Sequence, residues 1–446
     1  LNNKIVKNYL NKIKLKPYLH DKIEFDILLT CYEFDKDKIN FLSKSEKSKY
    51  INRLKKLTNE IFSNKQNFLI EEQNKINLLD SKIKKIQKTK LSEIQKIFFL
   101  IDDCKKYGTL PFSGIARMAF ICTQILKNLQ KKNIINSIDI EKLYSSIPTI
   151  TKQINYDYSK INRKKKNKNL FLKKYGHLRP STYSISSLNY KEGFNNYFPN
   201  KSPNTIKLDK KFDLTDDQYK KITKLFNNNK LNITSRNFIK LLKETIKYRE
   251  YSKFIFSKSI DEIFNCIIKL GKIIDIKRND LEFISIDKII NSYGVLETRK
   301  LSQILKNEIR ENKKSFNITK KINFPDFITN SKDIYFQKIK LSKGNFITNK
   351  KISGNIKYLD KLNNYNNLNH KIVLLDNADP GFDFIFSHNI KGLITKYGGA
   401  NSHMAIRCLE LSVPAIIGIG SSEFDNLKKS NLIEVDCEQK TSKKIS

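Results

Sequence analysis

Glycine is scarce in this chain, with 14 residues in 446. Sites that bind nucleotide phosphates commonly use a glycine-rich loop, a lysine and metal-binding carboxylates, because the backbone must approach the phosphate oxygens closely. Neither a G-x-G-x-x-G segment nor a Walker pattern occurs in the sequence. We therefore expect no nucleotide-binding domain within these residues.

Cysteine is also sparse, and its six residues are scattered: Cys31, Cys104, Cys122, Cys266, Cys408 and Cys437. Without C-x-x-C or Cys/His ligand spacing, these residues predict reduced, mostly buried thiols and neither a disulfide framework nor a metal site. Apolar runs as long as a membrane span and an N-terminal signal pattern are lacking as well. Together these absences predict a soluble, cytoplasmic protein with no membrane partner.

Acidic residues are few relative to basic ones, 45 against 85, which gives a formal net charge of +40. The excess is almost entirely lysine, since only ten of the basic residues are arginines. Phosphate and base recognition favours arginine at bidentate contacts. A lysine, asparagine and isoleucine excess along the whole chain is more typical of the codon bias of an AT-rich genome. We expect no specific nucleic-acid partner, only weak attraction to polyanions.

Helical spacing of apolar residues dominates the first 325 residues and predicts helices over residues 51–62 and 76–100. A turn is predicted at residues 107–112, Y-G-T-L-P-F, with a strong helix after it. T-D-D-Q at residues 215–218 and S-I-D-E at residues 259–262 fit the capping box that starts a helix, and the second helix is expected to stop at Gly271. Residues 23–32 fit a strand or a buried helix.

Short strands replace the helical pattern after Pro325, at residues 334–339, 345–356 and 371–375. The 446 residues are enough for two or three domains. We predict an α+β multidomain chain, with a mainly helical domain at residues 1–325 and an α/β domain at residues 330–446. The chain begins with Leu1 rather than Met, and we expect an upstream part to be missing from it.

The most informative stretch, residues 392–420, predicts a strand, a Gly-Gly turn, a helix and a second strand. His403 lies where the helix begins, behind Gly398 and Gly399. The first N–H groups of a helix lack internal partners and lie at its positive end, so this position suits a phosphoryl group. Imidazole is a nucleophile near neutral pH. The alternative is a helix cap with a partly buried histidine.

T-x-x-G-G-x-x-S-H-x-A-I at residues 395–406, followed by E-L-x-x-P-A-x-x-G, resembles the phosphohistidine (swivelling) domain of phosphoenolpyruvate-utilising enzymes. This resemblance implies that His403 carries a phosphoryl group in transit. It also implies that the phosphate pocket is shaped by Thr395, Gly398, Gly399 and Ser402. The family usually has an arginine just before the Glu-Leu pair, where this chain has Leu409. Arg407 can share a helix face with His403, and whether it replaces that arginine is left open.

Y-G-H-L-R-P at residues 175–180, with Tyr183 close behind, supplies the residue types that deprotonate a hydroxyl group and hold an anion. This segment resembles Y-G-H-R/L-x-P in the middle domain of the rifampin-phosphotransferase-like branch, where it borders the acceptor site. His177, Arg179 and Tyr183 are therefore candidate acceptor-site residues. The alternative is a purely structural turn.

Two further arginines are candidates for binding the acceptor. Arg117 lies near the predicted start of a helix, where a basic residue is unfavourable unless it pairs with an acid or meets an anionic ligand. Arg249 lies in R-E-x-x-K, residues 249–253, which resembles an element of the same branch; a helix-face ion pair accounts for it equally well.

Together with these residues, the resemblance implies an ATP-dependent phosphotransferase of the dikinase type, in which His403 relays a phosphoryl group to an acceptor hydroxyl group. His177 is the expected general base, and the arginines balance developing charge. ATP and Mg²⁺ are implied by the family and are expected on an upstream nucleotide-binding domain, while the acceptor is a small molecule. The alternative is a non-catalytic phosphocarrier or binding module, or a truncated paralogue.

Overall fold

The computed structural model describes residues 31–34, 42–63, 65–161, 165–198, 212–293, 298–319, 344–359, 367–378, 380–400 and 402–445. We call the part up to residue 319 the helical unit and residues 344–445 the sheet unit. The chain is mainly helical and ends in a mixed sheet, in agreement with the predicted α+β class. The predicted domain boundary near residue 325, the predicted strand at residues 334–339 and most of residues 23–32 lie outside the described residues.

The helices of the helical unit are α1 Lys44–Ser63, α2 Lys65–Gln87, α3 Glu93–Cys104, α4 Leu110–Lys131, α5 Ser137–Ser145, α6 Ile150–Ser159, α7 Lys165–Tyr175, α8 Phe194–Tyr197, α9 Asp216–Asn228, α10 Ser235–Ile273, α11 Ile286–Asn291 and α12 Thr298–Thr319. The predicted helix over residues 76–100 is therefore divided by a break between α2 and α3. Thr215 and Gln218 form the predicted capping box of α9.

The turn predicted at residues 107–112 is wrong, because a π-helical turn, Lys105–Thr109, joins α3 to α4 without a break. The N–H group of Leu110 donates to the carbonyl of Lys105, as expected for this wider turn. Gly108 serves close packing: a Cβ there would lie 2.9 Å from the Cβ of Phe256 on α10. Pro111 lies at the start of α4, where a missing N–H group is tolerated.

The helix start predicted at residues 259–262 is also wrong, because α10 runs unbroken for 39 residues. Ser259 lies inside it and is buried, and its hydroxyl group donates to the carbonyl of Leu100 at 3.2 Å. The helix ends at Ile273, two residues beyond the predicted stop. Ser259 therefore fits the capping pattern in sequence, but its side chain contacts the neighbouring helix α3 and does not start a helix.

Among the described residues, seven strands form the sheet of the sheet unit, in the order β1-β5-β4-β3-β2-β6-β7. They are β1 Asn345–Ile347, β2 Lys351–Leu359, β3 Ile372–Asn377, β4 Gly392–Tyr397, β5 Ala415–Ile417, β6 Leu432–Asp436 and β7 Thr441–Lys444. Strands β2 to β5 are parallel, and β1, β6 and β7 pair antiparallel with their neighbours. Parallel neighbours end at the same edge, which places the loops after β3 and β4 together.

Two helices complete the sheet unit, α13 His403–Glu410 after β4 and α14 Ser421–Leu427 after β5. Phe424 and Leu427 of α14 cover one face of the sheet. The other face continues into the core of the helical unit, for example where the rings of Phe384 and Tyr197 lie 5.1 Å apart. The two units therefore share an apolar interface.

The continuous helix Glu93–Lys131 has a window long and apolar enough to cross a membrane by length and composition alone, with a mean hydropathy of 1.2. This stretch was not predicted from the sequence, because a turn near Gly108 was expected to end the helix. Half of the window is buried inside the protein, as in the core helix of a soluble protein, so this property is weak evidence for a membrane span.

Candidate functional site

Around the N-terminus of α13, the structure has the strand, turn, helix and second strand that the sequence of residues 392–420 predicts. Ser402 is the N-cap, and its hydroxyl oxygen accepts from the N–H group of Ala405 at 3.3 Å, so that His403 becomes the first helical residue. Gly398 has φ +138°, which side-chain-bearing residues rarely adopt. The buried Thr395 accepts from the N–H group of Gly418 at 3.0 Å and ties the end of β4 to the loop after β5.

Two carboxylates hold the imidazole of His403. The Oδ1 atom of Asp383 lies 2.7 Å from Nε2, and the Oε2 atom of Glu250 lies 3.3 Å from Nδ1. Asp383 belongs to the 3₁₀ turn Pro380–Ser387 between β3 and β4, and Glu250 lies on α10. The His403 side chain is only 11% exposed. Both ring nitrogens thus face an acceptor, an arrangement that suits the doubly protonated imidazolium ion.

Arg407 organises the carboxylates around His403. As the spacing of four residues predicts, it shares the helix face of His403, with its Nε atom 3.3 Å from the imidazole Nε2. It forms ion pairs with Glu250 and, at 2.6 Å, with Glu410, and its side chain is 1% exposed. Glu250 is also bound by Arg249, at 2.9 Å. Three acidic and three basic groups therefore balance in a buried cluster that spans both units.

The charges in this cluster set the pKa of each member. Burial alone would lower the pKa of His403, but the carboxylates of Asp383 and Glu250 override it and raise that pKa above its ordinary value. Burial alone would raise the pKa of Glu250, yet Arg407 and His403 hold it well below its usual range. The pKa of Asp383 is lowered against the same burial effect, by His403 and Arg407. The arrangement therefore favours the charged form of His403.

These shifts predict a pH dependence of stability. A raised pKa in the folded state means that the contribution of His403 is complete below its unfolded pKa and is lost as the pH rises through its folded pKa. The lowered pKa values of Asp383 and Glu250 mean that their contribution is lost as the pH falls through those values. We therefore expect the midpoint of thermal unfolding to be highest at pH values where both carboxylates are ionised and His403 is protonated. It should decline at lower pH and at higher pH. The variant His403→Asn should flatten the alkaline decline; an unchanged decline would refute this assignment.

A narrow cavity of about 50 Å³ lies beside His403. Its polar walls come from His177, Arg179, Thr182, Tyr190, Glu250, Lys253, Ser257, Asp383, His403 and Arg407. The structure therefore brings the Y-G-H-L-R-P segment to the predicted carrier histidine. At this contact Gly381 lies so close to the backbone that a Cβ would overlap the carbonyl oxygens of Pro180 and Arg179.

His177 and Arg179 line the cavity, but each is already engaged. The Nε2 atom of His177 lies 3.1 Å from the carbonyl oxygen of Phe254, and burial, with help from Lys258, lowers the pKa of His177 to about 3. The guanidinium group of Arg179 is buried and forms an ion pair with Asp261. His177 is thus a neutral hydrogen-bonding group in this structure, and its role as a general base stays a prediction.

The other predicted acceptor residues lie apart from the cavity lining. Tyr183 is 67% exposed. Arg117 lies within α4, far from the start of the continuous helix, so the dipole argument that singled it out is wrong. Arg249 is buried and reaches the cluster through Glu250, so its helix-face ion pair is part of the site. The binding roles predicted for Thr395, Gly398, Gly399, Ser402 and Arg407 stay predictions.

Sequence reasoning missed Glu250 and Asp383 as the partners of His403. Glu250 stood in the R-E-x-x-K element, and Asp383 is the last residue of the D-P-G-F-D segment at residues 379–383. Thr151 was missed as well; its hydroxyl group donates to the Oδ2 atom of Asp383 at 2.8 Å. Contacts between residues this far apart in the sequence have no local signal.

Most of the sheet unit is similar to a known protein family. Residues 368–440 match the family described as PEP-utilising enzyme, mobile domain. The part of the chain that carries His403 is therefore similar to the mobile domain of phosphoenolpyruvate-utilising enzymes, and this match supports that family.

A particular relative is the rifampicin phosphotransferase of Bacillus cereus, 23% identical over 192 residues. The match covers 40% of this chain and 21% of that protein, so the chain spans only about a fifth of its relative. Both findings support a phosphotransferase family and do not favour the alternative of a non-catalytic module.

Proposed function

We propose that this chain contains the carrier and acceptor parts of a phosphotransferase, in which His403 takes a phosphoryl group from ATP and passes it to an acceptor hydroxyl group. One observation carries this proposal: His403 lies at a helix N-terminus, behind a glycine turn, and lines a cavity whose walls come from both units. A histidine that only capped a helix would not require this arrangement.

Capture of the phosphoryl group requires a ring nitrogen with a free lone pair. In the described arrangement each ring nitrogen faces a carboxylate, so capture belongs to a state in which the sheet unit has moved away from Glu250. The described residues contain no cluster of three or more His, Cys, Asp or Glu side chains that could hold a metal ion. In this proposal, ATP and Mg²⁺ would be bound by a separate nucleotide-binding domain of the kind that the family resemblance implies.

Transfer to the acceptor breaks the N–P bond of phosphohistidine and forms an O–P bond to the hydroxyl oxygen. The other ring nitrogen of the phosphohistidine carries a proton, so the departing imidazole is neutral, and the hydroxyl proton converts it into the imidazolium ion that Asp383 and Glu250 stabilise. His177, with its lowered pKa, is better suited to orienting the hydroxyl group than to taking the proton. Arg179 and Lys253 would face the anionic group in transit.

Labelling with ³²P-phosphoramidate, a small phosphoryl donor, tests the carrier role. We expect acid-labile, alkali-stable label on the native chain and nearly complete loss of it in His403→Asn. The matched control is His370→Asn, an exposed histidine of the same unit. Absence of label from the native chain, or label that persists in His403→Asn, would contradict the proposal. The donor is tested separately with β-³²P-labelled ATP, in the presence of a nucleotide-binding domain taken from a phosphoenolpyruvate-utilising enzyme.

A further inference from the structure

The two carboxylates that hold His403 come from different units. Asp383 lies between β3 and β4, in the same unit as His403, whereas Glu250 lies on α10 of the helical unit. Building on the proposed carrier function, we propose that Asp383 positions His403 throughout the reaction cycle, whereas Glu250 positions it only while the sheet unit lies against the helical unit. Movement of the sheet unit would thereby change which groups hold the imidazole.

Asp383 is placed to remain with His403 when the unit moves. It precedes β4, His403 follows β4, and β4 pairs in parallel register with β3, so one sheet carries both residues. Its Oδ1 atom lies 2.7 Å from the imidazole Nε2, and its Oδ2 atom lies 3.6 Å from the Nε atom of Arg407, on the same unit. Of the contacts described for this carboxylate, the hydrogen bond from Thr151 is the one that movement would break.

Glu250 is placed to be left behind. It is 5% exposed and bound by Arg249 of its own helix, so its position is fixed within the helical unit. Its contacts with His403 and Arg407 both cross the interface between the units. Separation would therefore remove one negative charge from the surroundings of His403 and leave the Asp383 contact intact.

This division of contacts fits the two chemical tasks of a carrier histidine. Against the helical unit, the second carboxylate favours the protonated imidazole that remains once the phosphoryl group has left. Away from it, the imidazole has one carboxylate fewer and gives up its proton more readily, which favours nucleophilic attack. The other charged or titratable groups that face this site are Arg407 and Glu410 on α13, Lys253 and Arg249 on α10, Arg179, His177 and Tyr190 from residues 177–190, and Lys152 on α6.

Histidine NMR on the full chain tests the proposal without any phosphoryl donor. The chain has five histidines, so His403→Asn identifies the signal of His403. The titration of that signal is followed in Glu250→Gln and Asp383→Asn, each also combined with Gly381→Ala, which is designed to separate the units. Asp425→Asn is the matched control, because Asp425 is exposed and pairs with Lys396 on the same unit. Small-angle scattering reports the separation.

Against the native background, both Glu250→Gln and Asp383→Asn should shift the titration of His403 to lower pH. In the Gly381→Ala background, Glu250→Gln should have no further effect, whereas Asp383→Asn should still shift the titration by a similar amount. Equal effects of Glu250→Gln in both backgrounds, or no effect of Asp383→Asn in either, would overturn the proposal. If Gly381→Ala does not expand the chain, Leu409→Asp opens the contact with α5 instead, and the same outcomes decide.

These results are independent of the phosphoryl-transfer proposal. Failure of His403 to take label from phosphoramidate would contradict the carrier function. A normal label with the wrong titration pattern would contradict only the division of roles between Asp383 and Glu250.

Discussion

Replacing Arg407 with alanine is expected to lower the free energy of unfolding by about 3–5 kcal/mol, the usual cost of removing one partner from a buried ion pair. Arg407 is 1% exposed and contacts Asp383, Glu250 and Glu410. Without it, three buried carboxylates remain near one another, opposed by His403 and Arg249. The loss should appear as a lower urea midpoint, and Glu410, whose pKa burial already raises, is expected to take up a proton.

Two companion variants separate charge from packing in this prediction. Arg407→Lys keeps the charge but loses the planar fork, so it should recover part of the loss. Arg407→Met combined with Glu250→Gln and Glu410→Gln removes the charges together and should be more stable than Arg407→Ala alone. A loss of less than 1 kcal/mol in Arg407→Ala would show that the cluster is not held together as described.

Replacing Gly381 with alanine is expected to separate the sheet unit from the helical unit. The added Cβ would overlap the carbonyl oxygens of Pro180 and Arg179, which are backbone atoms and cannot move aside alone. The backbone of Gly381 is not in the left-handed region, so alanine should cause little strain within the sheet unit. Overlap of this kind costs about 1–3 kcal/mol, which raises the open population on the order of tenfold or more.

Small-angle scattering and the rate of His403 labelling measure this separation. We expect a larger radius of gyration and faster labelling by phosphoramidate in Gly381→Ala. Gly354→Ala is the matched control, since the nearest atom to a Cβ at that position is the flexible end of Lys391, 3.1 Å away. An unchanged radius and labelling rate in Gly381→Ala would mean that the interface tolerates the side chain.

The local part of the site could be predicted because its signals lie close together in the sequence. Ser402, with Gly398 and Gly399 before it, indicates where the helix starts. A spacing of four residues places Arg407 beside His403. The partners of His403 could not be predicted in this way. Glu250 is 157 residues away from Arg407 in the sequence, and only the packing of α10 against the sheet unit brings the two together.

The two wrong predictions of helix boundaries have one physical cause. Gly108 and Ser259 are residue types typical of turns and caps, yet both lie where the two long helices touch. At Gly108 the absence of a side chain allows Phe256 to approach, and at Ser259 the hydroxyl group satisfies the carbonyl of Leu100. Contacts between the two helices thus determine these positions, although local sequence propensities assign glycine and serine to helix ends.

The π-helical turn at Lys105–Thr109 has a consequence for how the helical unit holds together. One extra residue in a helical turn rotates everything after it by about 100°. Before the turn, Leu100 and Cys104 contribute to the apolar cluster shared with the sheet unit; after it, Ile115 and Cys122 contribute to a separate cluster with α5 and α9. The continuous helix Glu93–Lys131 thus contributes residues to two apolar cores on different sides. Neither core can therefore lose its structure without disturbing the other.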